Sequence, residues 1–156
     1  MPSPYTFAQL KSNFPTEDRK PFFKAMGWDD LIDDDNYENT CAIRVSVCLV
    51  RLGMAFPNGK IKILKGDHKG KKIEIRWSEL EAVLKAAWGT PTNVTPTTDE
   101  ACKSYQGVIV FEKLPDTGYP GHIDVLDGPN KKCLHLDYFG SNKIRIFSAK
   151  TEEKKD

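Results

Sequence analysis

Between Thr40 and Leu52 apolar side chains cover most of the circumference of a helix, with Ile43, Val47 and Val50 on one stripe and Val45, Cys48, Leu49 and Leu52 on others. A helix that is apolar all round holds together in water only when the rest of the chain is wrapped about it, so this segment predicts a central buried helix. Asn39 or Thr40 is suited to the N-cap and Gly53 to the C-cap. Cys41 then falls in the first turn, where backbone N–H groups have no helical partner. Cys48, two turns further along, reads as core.

Short helical pieces precede this segment. Thr6 is placed to cap a turn or two through Phe7 and Leu10, ending before Pro15, and a second piece around Glu17 to Met26 contains Pro21 and stops at Gly27. The acidic run Asp29, Asp30, Asp33, Asp34 and Asp35 reads as a solvated loop and helix edge, since it lacks the glycine and the distal glutamate of a calcium loop. Lys60 to Lys65 and Lys71 to Ile75 alternate around Gly66-Asp67-His68-Lys69-Gly70, the pattern of a surface hairpin with an exposed His68 at its tip. Ser78 with Glu81 three residues later is a capping box, and Leu80, Val83, Leu84 and Trp88 continue one stripe until Gly89 and Pro91. Residues 90–98, rich in Thr and Pro, read as a loop, and the Asn93-Val94-Thr95 sequon there means little without a secretion signal.

Strands are expected at Val108 to Glu112, Ile123 to Leu126, Cys133 to Tyr138 and Lys143 to Phe147, separated by Gly, Pro, Asn and Asp. Helices first and antiparallel strands afterwards predict an α+β domain with segregated layers, and argue against parallel α/β winding. The chain has 156 residues, the size of one domain spanning 1–156. With 23 Lys and Arg against 22 Asp and Glu the net charge is +1, too little for a global field that recruits nucleic acid or an anionic membrane. The segment Met1-Pro2-Ser3-Pro4-Tyr5 has no basic flank, apolar core or cleavage site, so the expectation is a chain made soluble, without a Sec-type signal and without a membrane span. Four cysteines, at 41, 48, 102 and 133, lack the close spacing of a zinc ribbon, and no metal or cofactor is expected.

The residues that suggest chemistry are Cys41 at a helix start and His122 at a strand start. A thiol attacks as the thiolate, and a helix N-terminus with an imidazolium nearby is an environment that lowers a thiol's pKa. His122 follows Gly118-Tyr119-Pro120-Gly121, which allows close backbone approach, and Asp124 and Leu126 share its strand face. On the next expected strand Cys133, His135 and Asp137 share a face, and a turn near Asp127 to Lys131 sets His135 or Asp137 opposite His122, depending on one step of register. Either is a candidate for the third, orienting member of a nucleophile and base arrangement. Arg44 and Asp124 are candidates to brace the site or to form local ion pairs.

The segments Asn39-Thr40-Cys41-Ala42-Ile43-Arg44 and Gly121-His122-Ile123-Asp124-Val125-Leu126-Asp127-Gly128, followed by Cys133 and Tyr138-Phe139, resemble the fourth family of type VI secretion amidase effectors, papain-like hydrolases related to NlpC-type cell-wall peptidases. The resemblance runs in order over essentially the whole chain. It implies a peptidoglycan amidase that cuts the stem peptide between D-glutamate and meso-diaminopimelate. It implies synthesis in a donor cytoplasm, passage through secretion machinery, action in a target-cell periplasm, and a cognate immunity protein. By position it makes Cys41 the nucleophile and His122 the general base, and the family's third aspartate, shortly after the cysteine matched by Cys133, leaves His135 and Asp137 as the candidates here. Periplasmic entry would also suit a Cys102–Cys133 disulfide. From a different class, a catalytically silent wall-binding or interaction module on the same fold would simply bury Cys41.

Overall fold

The computed structural model describes residues 3–34, 37, 40–114 and 120–151. Asp35, the alternative cap Asn39 and the Gly118-Tyr119 approach lie outside the described residues. Four helices, α1 (Phe7–Asn13), α2 (Arg19–Met26), α3 (Cys41–Arg51) and α4 (Trp77–Trp88), come before most of the sheet. Thr6 and Gln9 form a reciprocal capping box at α1. Pro21 is accommodated in the first turn of α2, where its missing N–H costs nothing, and Gly27 closes that helix in the left-handed conformation at φ +83°. α4 begins one residue before the expected cap. Its N-cap is Arg76, whose donor-only side chain makes no capping bond, and the carboxylate of Glu81 is bound to Arg145.

The expected hairpin is present as β1 (Ile61–Lys62) and β2 (Lys72–Ile73), paired Ile61 to Ile73. The main sheet holds β3 (Thr92–Val94), β4 (Gln106–Glu112), β5 (Gly121–Asp127), β6 (Lys132–Cys133) and β7 (Lys143–Ser148) in the antiparallel order β3-β7-β4-β5-β6. β3 lies where composition suggested only a loop. It is an edge strand, recruited by β7 through the register Asn93 to Arg145.

The period-2 alternation of the strands gives the sheet two covered faces. Val108, Val110, Ile123, Val125 and Phe147 face the helices and pack with Leu10, Phe22, Phe23 and the apolar residues of α3. Ile109, Phe111, Leu126, Ile144 and Ile146 face the other way, covered by Val94, Cys102 and Cys133. Every residue of α3 from Cys41 to Val50 is buried, as its all-round apolar pattern requires. Burying the side chain of a residue such as Leu49 or Val47 is worth about 1.5–3 kcal/mol, so this helix is the largest single contributor to the core. Gly53, just past its end at φ +102°, permits the chain to turn away.

Candidate active site

Cys41 is the first residue of α3 and His122 the second of β5. At the start of α3 the Thr40 side chain makes no capping bond, because its hydroxyl accepts from Arg44 Nε at 2.9 Å. Arg44 is 1 % exposed, stacked 4.9 Å over the Phe22 ring, and its Nη1 donates to the carbonyls of Pro15 (3.0 Å) and Glu17 (2.7 Å). The guanidinium therefore ties the link between α1 and α2 to the first turn of α3, and makes no ion pair with Asp124.

His122 is held from three sides. Its ring lies beside Phe111, its partner in the β4–β5 register, and meets Tyr138 edge-on with ring centroids 4.8 Å apart. Nε2 is 3.0 Å from Asp124 Oδ2 and 2.9 Å from the Leu136 carbonyl oxygen. Both neighbours accept, so Nε2 carries the proton it donates to them, and Nδ1 is the nitrogen left for a second partner. That partner is Cys41, whose side chain hydrogen-bonds the imidazole. Burial alone would lower the His122 pKa, but the hydrogen bonds to Asp124 and Cys41 and the charges behind them prevail and raise it to about 10. The ring is thus held as an imidazolium at neutral pH, which is the partner a thiolate nucleophile needs.

The carboxylate that lies at the His122 ring is that of Asp124. The β5–β6 register, Leu126 to Cys133, would carry Asp137 opposite His122 if the ladder continued, but β6 ends at Cys133. After one more backbone bond, Leu134 N–H to Val125 O, the carboxylate of Asp124 captures the next two donors: His135 N–H to Oδ1 (3.3 Å) and Leu136 N–H to Oδ2 (3.0 Å). A side chain has replaced the backbone as acceptor, so the strand peels away and the Leu136 carbonyl swings onto His122. Cys133 to Tyr138 is consequently not a strand. The expected third candidates give way at the ring to Asp124: His135 contributes its backbone N–H, and Asp137 is exposed. Asp124 itself is fully buried and also accepts from Val125 N–H at 2.7 Å. The His135 imidazole, half-buried near Arg44, Asp124 and His122, has its pKa lowered chiefly by burial and then by Arg44, which keeps it neutral.

The remaining cysteines are chemically distinct from Cys41. Burial pushes the Cys48 thiol up to about 12, and its Sγ donates to Leu10 O at 3.3 Å. Burial and Asp99 raise Cys102 to about 11, and burial followed by the nearby acidic groups Asp124 and Asp137 raises Cys133 well above its ordinary value. Cys102 and Cys133 share one apolar cluster as free thiols, so the bridge suggested for them is not formed here. His68 lies at the far end of α3, lining a cleft of about 350 Å³ with Arg51 and Val47. Another cleft, of about 380 Å³, lies beside β7, and Cys41 itself is 4 % exposed. Side-chain chemistry singles out the Cys41–His122–Asp124 cluster.

Among known proteins, a family model described as type VI secretion system (T6SS), amidase effector protein 4, matches residues 37–147, a span that holds all three residues of this cluster. No curated protein sequence matches the chain. The fold is similar to the crystal structure of the type VI effector Tae4 from Enterobacter cloacae, with a TM-score of 0.78 and 22 % identity over 96 % of this chain and 99 % of that one. It is likewise similar to the effector in the Tae4–Tai4 effector-immunity complex from the same organism (TM-score 0.75, 21 % identity, 95 % and 100 % covered). The Tae4–Tai4 complex from Salmonella Typhimurium gives 0.74 at 16 % identity, again over 95 % of this chain and 100 % of that one. These likenesses agree with an α+β, papain-like arrangement in which a helix N-terminus meets the edge of an antiparallel sheet.

Proposed function

Because the chain belongs to the type VI secretion system amidase effector 4 family, we propose that it is a cysteine amidase of bacterial peptidoglycan, with Cys41 as nucleophile, His122 as general acid and base, and Asp124 as the residue that orients the imidazole. The observation that carries this reading is the hydrogen-bonded series from Cys41 through His122 to a fully buried Asp124. In it the sulfur of Cys41 attacks the amide carbonyl carbon, and the developing oxyanion is stabilised at the N-terminal turn of α3. The imidazolium of His122 gives its proton to the departing amine, leaving a thioester on Cys41. The neutral ring then takes a proton from water, whose oxygen displaces the acyl group, and the thiolate of Cys41 and the imidazolium of His122 are regenerated. Asp124 and the Leu136 carbonyl hold Nε2–H throughout, so the ring cannot turn its other nitrogen away from the sulfur.

The bond we assign is the D-glutamyl to meso-diaminopimelate amide of the wall stem peptide. The route is synthesis in a donor cell, transfer by the secretion machinery and action in the periplasm of the recipient. A cognate immunity protein would protect the producer, as the solved effector-immunity complexes of similar fold suggest. No described helix is long and apolar enough to cross a membrane. The test is digestion of purified muropeptides followed by mass spectrometry. Wild type should yield two products split after D-glutamate, and Cys41→Ala should lose at least about 10⁴-fold in rate at unchanged thermal stability. The low exposure of Cys41 favours the rival reading of a silent binding module. Muropeptides left intact by wild-type protein would establish that rival, and cleavage at an equal rate by Cys41→Ala would refute Cys41 as the nucleophile.

A further inference from the structure

Gly121, immediately before His122, is a glycine for want of space and not for backbone freedom. A Cβ placed there would lie 2.1 Å from Cε2, 2.4 Å from Cζ2 and 2.6 Å from Cδ2 of Trp77, so the indole occupies the space that a side chain at position 121 would need. Trp77 is the first residue of α4, and Glu81 is four residues on, so the two project from one side of the helix. Glu81 grips Arg145 of β7 in a two-pronged bond, Oε2 to Nε at 2.6 Å and Oε1 to Nη2 at 2.9 Å. Nη2 of Arg145 also reaches Glu112 Oε1 at 3.5 Å, and Glu112 is the residue paired with Gly121 across the β4–β5 ladder. Trp77, Gly121, Glu112, Arg145 and Glu81 thus close a ring of contacts around the start of β5. Glu81 and Arg145 are both largely buried, which keeps their pairing from exchanging with water.

We propose that Trp77 is a positioning residue for His122: the framed indole fixes the backbone at Gly121 and thereby the place of the imidazole against Cys41. The inference rests on the cysteine-amidase reading, since only that reading gives the imidazole a distance to keep. A ring set back by about 1 Å leaves the fold intact but costs up to about 100-fold in a step that needs proton transfer at hydrogen-bond range. A purely positioning role leaves substrate binding, and so KM, unchanged.

The experiment compares Trp77→Phe and Gly121→Ala with Trp88→Phe, the same aromatic reduction at the opposite end of α4, where the ring packs on Tyr5 and Phe147 instead of β5. Two readouts are taken: kcat and KM on muropeptides, and the pH dependence of Cys41 alkylation by iodoacetamide, with His122→Ala as reference. The expected result for Trp77→Phe is a kcat about 10- to 100-fold lower with KM within about twofold, and an alkylation profile moved toward that of His122→Ala. Trp88→Phe, even at an equal loss of thermal stability, should keep both near wild type. A Trp77→Phe enzyme no slower than Trp88→Phe, or one impaired in KM alone, overturns the positioning role while leaving the nucleophile and base in place. If instead His122→Ala alkylates with the wild-type profile, the Cys41–His122 pairing itself is refuted and the positioning role falls with it. Should Gly121→Ala fail to fold, Trp77→Phe decides alone.

Discussion

Replacing Asp124 by Asn tests how the site is assembled, because the carboxylate serves four donors that arrive in pairs. Val125 N–H and His135 N–H converge on Oδ1, and Leu136 N–H and His122 Nε2 converge on Oδ2. An amide offers one oxygen, so whichever way Asn is turned, two donors lose their acceptor and face an NH₂ group. A buried donor left unsatisfied costs about 1–3 kcal/mol, which makes the expected loss roughly 2–6 kcal/mol. For a domain of this size that corresponds to a melting temperature lower by roughly 5–20 °C. Activity should fall further than stability suggests, by about 10²- to 10⁴-fold, because the turn over Asp124 also delivers the Leu136 carbonyl to His122 and the imidazolium loses its counter-charge. Urea unfolding at neutral pH and muropeptide turnover below the melting transition measure the two effects separately. A variant with an unchanged midpoint, or one that retains turnover within about threefold, would refute the argument that this side chain organises the site.

Other outcomes follow from the same geometry. The pKa of His122 is raised to about 10 in the folded protein, whereas an unfolded histidine titrates near 6.5. Its stabilising contribution is therefore fully present below about pH 6.5 and is lost as pH rises through about 10. The gap in melting temperature between wild type and His122→Gln should shrink steadily over that interval, and a constant or widening gap would contradict the assignment. Arg44→Met removes the guanidinium from over Phe22 and abandons Thr40 Oγ1 and two backbone carbonyls; it should cost about 3–5 kcal/mol by denaturant titration, and a loss below about 1 kcal/mol would show that water replaces the guanidinium. Brief iodoacetamide treatment of the native protein should label Cys41 before Cys48, Cys102 or Cys133, whose burial keeps them as thiols. Peptide mapping that finds any of those three modified first would reverse that ranking.

The core helix was legible because its apolar residues leave no polar face, and neither neighbours nor folding order can change that. That Cys41 opens a helix and His122 stands near the start of a strand was legible because capping and glycine signals act locally. The approximate span of β4, β5 and β7 followed from alternation alone. What could not be read locally was every feature that depends on one side chain outcompeting a backbone group far away in sequence. β3 exists because β7 offers it an edge, and the Glu81 carboxylate expected in a capping box is bound to Arg145 of β7 instead. The choice among Asp124, His135 and Asp137 belongs to this class. Alternation along a strand puts Asp124 on the His122 face but does not say that its carboxylate will intercept the amides of residues 135 and 136 and end β6. Local pattern specifies which groups are available for hydrogen bonding, whereas the partner each one takes is a competition settled by distance and burial once the chain has closed on itself.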